Sequence, residues 1–163
     1  MILLIDLDDT LIGNEMDIFI PAYLQKLGGH LADIYDPKKL INQLLTATQS
    51  MLTNTDPAST LQERFDRDFY PVLGLYYDQA IVQINDFYEN IFPELESVIE
   101  KIPSVYEMIN GMVSQGFRII IATNPLFPRT AITQRLKWAG LANFIDKFEI
   151  ITSYEDFHFT KPN

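Results

Sequence analysis

Three acids, Asp6, Asp8 and Asp9, follow directly on the apolar run Ile2-Leu3-Leu4-Ile5. Carboxylates clustered at the end of a buried strand repel one another, and an unpaired buried anion is costly. A divalent cation is the simplest agent to hold them together. One carboxylate is then placed to act as a nucleophile as well as a ligand. Period-two alternation puts Asp6 and Asp8 on the same side, with Asp9 facing away. Two more polar groups follow apolar runs further along: Thr123 closes Phe117-Arg118-Ile119-Ile120-Ile121-Ala122, and Lys161 comes shortly after Phe148-Glu149-Ile150-Ile151.

These residues need strands to position them. A first strand is expected over residues 2 to 7, a second over 117 to 123 and a third over 148 to 151. Between the first two the pattern is helical. Ile18, Phe19, Ala22 and Tyr23 suggest one helical face, with Pro21 starting or kinking the helix. Asp36-Pro37 reads as an N-cap followed by proline at the first helical position. The helix it opens carries a stripe of Leu40, Ile41, Leu44, Leu45, Thr48 and Leu52. Asp56-Pro57 repeats the start signal for a shorter helix through Phe69, and Pro71 and Gly74 break the pattern. Ala80, Ile81, Ile84, Phe87, Tyr88 and Ile91 predict a fourth helix. After Pro103, Ser104 can cap a helix over Val105, Met108, Ile109, Met112 and Val113, which Gly116 stops. A last helix is expected from Pro128 to Ala139. Helices alternating with apolar strands imply an α/β fold with a parallel sheet. In such sheets ligands bind at the carboxyl ends of the strands, where Asp6, Asp8, Thr123 and Lys161 would converge.

Composition narrows the chemistry. The 163 residues suit one domain, or a small domain with an insertion, and 47% of them are apolar, enough for a sizeable core. The formal net charge of -10 argues against a nucleic-acid footprint and against a polybasic membrane contact. An anionic substrate therefore needs a local positive field from a metal ion or a few placed cations. With no cysteine and two histidines, His30 and His158, thiolate sites are excluded and a multi-histidine zinc site is disfavoured. The N-terminal apolar run is too short for a signal peptide, and no stretch approaches a transmembrane length. A cytoplasmic protein is the expectation.

The ordered motifs resemble the haloacid dehalogenase (HAD) superfamily. Asp6-Leu7-Asp8-Asp9-Thr10 is similar to its D-x-D-x-T motif, Thr123 followed by Asn124 to its second motif, and Lys161-Pro162 to its third. The resemblance implies a HAD-like Rossmannoid core from residues 1–13 and 101–163, with residues 14–100 as an inserted helical C1-type cap. It implies an Mg2+-dependent phosphatase acting on a small phosphorylated metabolite through an aspartyl phosphate. Asp6 would be the nucleophile and Asp8 the general acid and base. Mg2+ would bind the Asp6 carboxylate and the Asp8 main-chain carbonyl. Thr123 and Lys161 would hold the phosphoryl oxygens, and Asn124 is a candidate substrate contact. An acid at Asp8 favours phosphoryl transfer over halide displacement, because a departing halide needs no proton. Two rival readings remain: a phosphosugar mutase-type phosphotransferase, and a non-catalytic remnant that serves interaction or assembly.

The family's fourth motif supplies further acidic metal ligands after another strand, and the sequence ends at Asn163, two residues past Lys161. The expectation is a truncated piece of a longer protein, with the first strand left as a sheet edge. Oligomeric state is open. Blander readings stand beside the sharp ones. Asp6 and Asp8 could form a solvated, capped turn. Asp9 is expected to cap or turn, and Thr10 to close that turn through its hydroxyl. Asn124 is equally suited to an Asx-turn. Tyr70, Tyr76, Tyr77, Phe87 and Tyr88 are expected to pack rather than to form a substrate box. Arg64 and Arg67 read as surface charges. His30 and His158 have no evident partner, and His158 is expected at the surface.

Overall fold

The computed structural model describes residues 1–74 and 77–162. It is a mixed α/β structure. Strands β1 (Ile2–Ile5), β4 (Arg118–Ile121) and β5 (Ile150–Ile151) form a parallel sheet in the order β1-β4-β5. Pairing of Ile5 with Ile121 and of Ile121 with Ile151 ends all three strands in one row. Asp6, Thr123 and Thr152 follow on the same edge. The strands are shorter than the apolar runs suggest. Among the described residues β1 has a neighbour on one side only, so Ile2 and Leu4 are exposed while Ile5 packs on the core. Among the described residues β1 is the sheet edge expected from the sequence, and its apolar run is only partly buried.

Past Ile5 the chain turns sharply. The Leu7 carbonyl accepts the N–H groups of Thr10 (3.3 Å), Leu11 (2.9 Å) and Ile12 (3.2 Å). Leu7, Leu11 and Ile12 are fully buried and pin this turn to the core. Backbone groups close it, rather than the Thr10 hydroxyl expected from sequence. Asp9 takes a left-handed conformation (φ 54°), and its Oδ1 accepts the Asn14 N–H at 3.0 Å, the turn role expected for it. Strand β2 (Ile12–Gly13) then pairs antiparallel with β3 (Glu100–Lys101). Gly13 lets the two strands approach closely, since a Cβ would lie 3.0 Å from the Glu100 Cβ, a tight contact that Glu100 would have to yield to. The chain leaves for the helical block and returns from it through this ribbon.

That block holds α1 (Met16–His30), α2 (Pro37–Leu52), α3 (Leu61–Phe69) and α4 (Tyr77–Asp86). Pro21 lies inside α1 rather than at its start. The buried stripe Phe19, Tyr23 and Leu27 runs past it, so packing outweighs the lost hydrogen bond, and Ile18 points to solvent instead. In α2, Asp36 caps Lys39 N at 2.9 Å as expected, but the buried positions are Leu40, Ala47 and Met51, with Leu45 and Leu52 exposed. Helix α3 starts at Leu61, not at Pro57. Thr60 and Glu63 form a reciprocal capping box, while Asp56 only turns the chain by accepting from Ala58 N. After α4 the helix widens into a π turn (Phe87–Ile91) and tightens into a 3-10 segment (Phe92–Val98).

Helix α5 (Val105–Ser114) begins after Ser104, whose left-handed backbone (φ 67°) makes no side-chain cap, contrary to expectation. Helix α6 (Arg129–Trp138) follows β4. Two apolar clusters result. One joins the sheet to Ile109, Ile132 and Leu136; the other fills the helical block. They meet at α6, where Trp138 stacks on Phe92 (5.3 Å between centroids). Tyr70, Phe87 and Tyr88 pack in the block as expected, and Tyr77, though 41% exposed, packs edge-on against Tyr70 at 5.1 Å between centroids. Tyr76 lies outside the described residues. The segment after β5 is tied to the block by Phe157 O and Tyr154 O, which accept the N–H groups of Leu61 (2.8 Å) and Gln62 (2.9 Å).

Candidate functional site

The shared strand edge gathers the polar residues in two groups. In the first, Lys161 Nζ donates to Asp6 Oδ1 at 2.9 Å, and both side chains are about half exposed. The Lys161 N–H donates to Asn124 Oδ1 at 3.2 Å, so Asn124 anchors the lysine segment against the loop after β4. Residues 155 positions apart in the chain are thereby brought together.

In the second group, Asp8 Oδ1 accepts from Asn14 Nδ2 at 2.8 Å and forms an ion pair with Arg135 Nη2. Thr123 Oγ1 lies 3.5 Å from Asp8 Oδ2, and Thr123 is buried, with its carbonyl accepting the Thr152 hydroxyl at 2.7 Å. The strand-like alternation expected for residues 6 to 9 does not apply, because the strand stops at Ile5 and the turn sets the directions of Asp6 and Asp8 separately.

Two participants were not found by sequence reasoning. Asn14 is buried beneath the turn, at 1% exposure. Arg135 is equally buried, on the inner face of α6, with its guanidinium carbon 5.5 Å from the Phe19 centroid and 5.6 Å from that of Phe127. Burial lowers the Arg135 pKa to about 10, and the nearby charge of Asp6 opposes that shift. The side chain therefore stays cationic at neutral pH. A helical signal existed, since Ala131, Arg135 and Trp138 share one face, but an arginine next to Lys137 reads as surface charge.

The oxygen donors present suit Mg2+ chemically. Lys161 engages Oδ1 of Asp6, which leaves Oδ2, and the main-chain carbonyl of Asp8 is a second hard donor. The Asp8 carboxylate is already taken up by Asn14 and Arg135. Among the described residues no group of three His, Cys, Asp or Glu side chains could hold an ion. Mg2+ does not need such a cage, since it keeps several waters and shares its shell with substrate phosphate.

Beside the site is an apolar cavity of about 130 Å³, lined by residues that include Tyr23, Leu27, Phe69, Tyr88, Phe127 and Tyr154. Phe127 faces both this cavity and Arg135. The Tyr23 and Tyr88 hydroxyls are hydrogen-bonded at 2.9 Å, and burial pushes the Tyr23 pKa up to about 12. The remaining candidates have structural partners. His158 Nδ1 is hydrogen-bonded with Ser59 O at 2.9 Å, whereas His30 Nε2 lies 3.1 Å from Asp86 Oδ2 without a hydrogen bond between them. Arg64 bonds Ser50 Oγ at 2.6 Å. No described helix is long and apolar enough to cross a membrane.

No family model and no curated protein matches this chain. Among solved structures it is similar to a crystal structure described as a predicted phosphoglycolate phosphatase from Haemophilus somnus, with 18% identity and a TM-score of 0.45. The match covers 97% of this chain and 64% of that one, so the chain spans under two thirds of its neighbour's length. A likeness at this level carries no argument about chemistry, and the functional reading rests on the chain's own residues.

Proposed function

We propose that the chain is a HAD-like phosphatase whose helical block, residues 14–100, caps a phosphoryl-transfer site at Asp6. The observation that supports this best is the pairing of Asp6 with Lys161 just past β1, with Asp8 and Thr123 at the same strand edge. Together with the three ordered motifs, this arrangement suits attack on a phosphate monoester.

The Asp6 carboxylate attacks phosphorus while Lys161, hydrogen-bonded to it, offsets negative charge. The phosphorus–ester oxygen bond breaks, its electron pair leaves with the alcohol oxygen, and Asp8 supplies the proton. Water then attacks phosphorus, Asp8 takes its proton, and the bond to Asp6 breaks to release phosphate. The Thr123 hydroxyl is a donor for a phosphoryl oxygen, and Asn124 keeps Lys161 in place. Mg2+, held by Asp6 and the Asp8 carbonyl, would shield the anionic nucleophile from the anionic substrate. The substrate is a small phosphorylated metabolite, consistent with a net charge of -10 that leaves attraction of phosphate to local cations.

The test is phosphate release from a panel of phosphate monoesters with Mg2+, comparing the unaltered chain with Asp6→Asn. Release that the substitution abolishes supports the reading. Isomerised phosphosugar without phosphate release favours a mutase-type transferase. No turnover at high protein concentration favours an interaction role.

A further inference from the structure

We propose that Arg135 is a positioning residue for Asp8, and that it ties the direction of that carboxylate to the seat of α1 on the core. The inference rests on the phosphatase reading above.

Stability does not account for this arginine. Its neighbours on the inner face of α6, Ala131, Ile132, Leu136 and Trp138, are apolar and buried. Taking a guanidinium out of water is expensive, and a buried ion pair replaced as a whole by apolar side chains of similar volume is often no less stable. Compensation is incomplete, because neither Arg135 Nε nor Nη2 makes a hydrogen bond among the described residues, and Nη2 has only its ion pair with Asp8. What the arginine does supply is direction. Asn14 Nδ2 donates to Asp8 Oδ1, and Arg135 Nη2 forms an ion pair with that same oxygen. Oδ2 is left with the longer Thr123 contact of 3.5 Å, and is therefore the oxygen available to exchange a proton.

The guanidinium is itself oriented. Phe19 and Phe127 lie within 6 Å of it, one from α1 and the other from the loop after β4. Phe19 is fully buried and packs edge-on against Phe92 and Trp138. A shift of α1 would remove one wall from Arg135 and loosen Asp8 in turn. Lysine cannot replace it fully, since a point charge lacks the planar fork and its stacking surface.

The experiment compares two esters with the full chain and Mg2+. A departing alkoxide needs a proton, whereas p-nitrophenolate leaves without one. Arg135→Met is expected to lower kcat for glycerol 3-phosphate about 100-fold, near the low end of what general acid catalysis supplies. With p-nitrophenyl phosphate the loss is expected to be several-fold smaller, and KM should move little for either ester. Arg135→Lys should recover part of the lost rate, and it carries the same comparison if the methionine variant does not fold. In an Asp8→Asn background, adding Arg135→Met should cost little more on glycerol 3-phosphate, because the group it positions is gone. Equal losses on both esters, no loss on either, or full additivity with Asp8→Asn would overturn the proposal. If the unaltered chain releases phosphate from neither ester, the phosphatase reading itself fails and this inference with it.

Discussion

Asp6 and Asp8 stand two residues apart, yet the fold gives them opposite surroundings. Asp6 meets a lysine at half-exposed positions. Asp8 is about one-fifth exposed and meets a fully buried arginine that packs beside two neighbouring aromatic rings. A compact ammonium on a flexible stem permits motion, whereas a planar guanidinium packed beside two aromatic rings has less freedom to turn. The difference matches a division of labour in which Asp6 must reach a substrate and Asp8 must hold still. It also shows how one turn makes two environments: Leu7 is buried between the acids and sends their side chains to different elements.

The sharpest break of that contrast is Asp6→Asn. It should lower kcat by more than about 10,000-fold, as loss of a nucleophile does, with the thermal midpoint nearly unchanged; a phosphate-release assay beside a melting curve checks both. Next, Arg135→Met should destabilise the fold by about 3 kcal/mol in urea titrations, because it strands a partly buried carboxylate. Lys161→Met should do the reverse. Its effect on stability should stay below about 1 kcal/mol, since the pair is solvated, while kcat/KM falls about 100-fold.

The smallest effect concerns a third carboxylate, Asp66 on α3, which forms no ion pair among the described residues. Burial first, and the charge of Glu63 second, push its pKa up from 3.8 to about 6. The folded state therefore binds this proton more tightly than the unfolded chain does. Stability should rise as pH falls from about 6 to about 4, and Asp66→Asn should flatten that rise by about 1 kcal/mol, a value reduced for partial exposure. Denaturant titrations at the two pH values measure it.

The sequence made some of this legible and hid the rest for physical reasons. Apolar runs ending in Asp6 and Thr123 exposed the sheet and its functional edge, because strand and site are contiguous in the chain. Asp36-Pro37 exposed the start of α2, because a cap is a local event. Helix α3 was misplaced because Asp56-Pro57 and Thr60-x-x-Glu63 both signal a start, and only the second closes a capping box. The β2–β3 ribbon left no trace, since two residues per strand carry no period. Arg135 was hidden because its burial depends on Phe19 and Phe127 arriving from distant parts of the chain. The long-range pairing of Lys161 with Asp6 was expected only through topology and motif order.

The most direct measurement is peptide mapping by mass spectrometry of the chain, acid-quenched during turnover of p-nitrophenyl phosphate with Mg2+. A phosphoryl group on the peptide carrying Asp6, absent from Asp6→Asn, is the expected result. Turnover with no label on that peptide, or with the label on another residue, would contradict the assignment of Asp6 as the nucleophile.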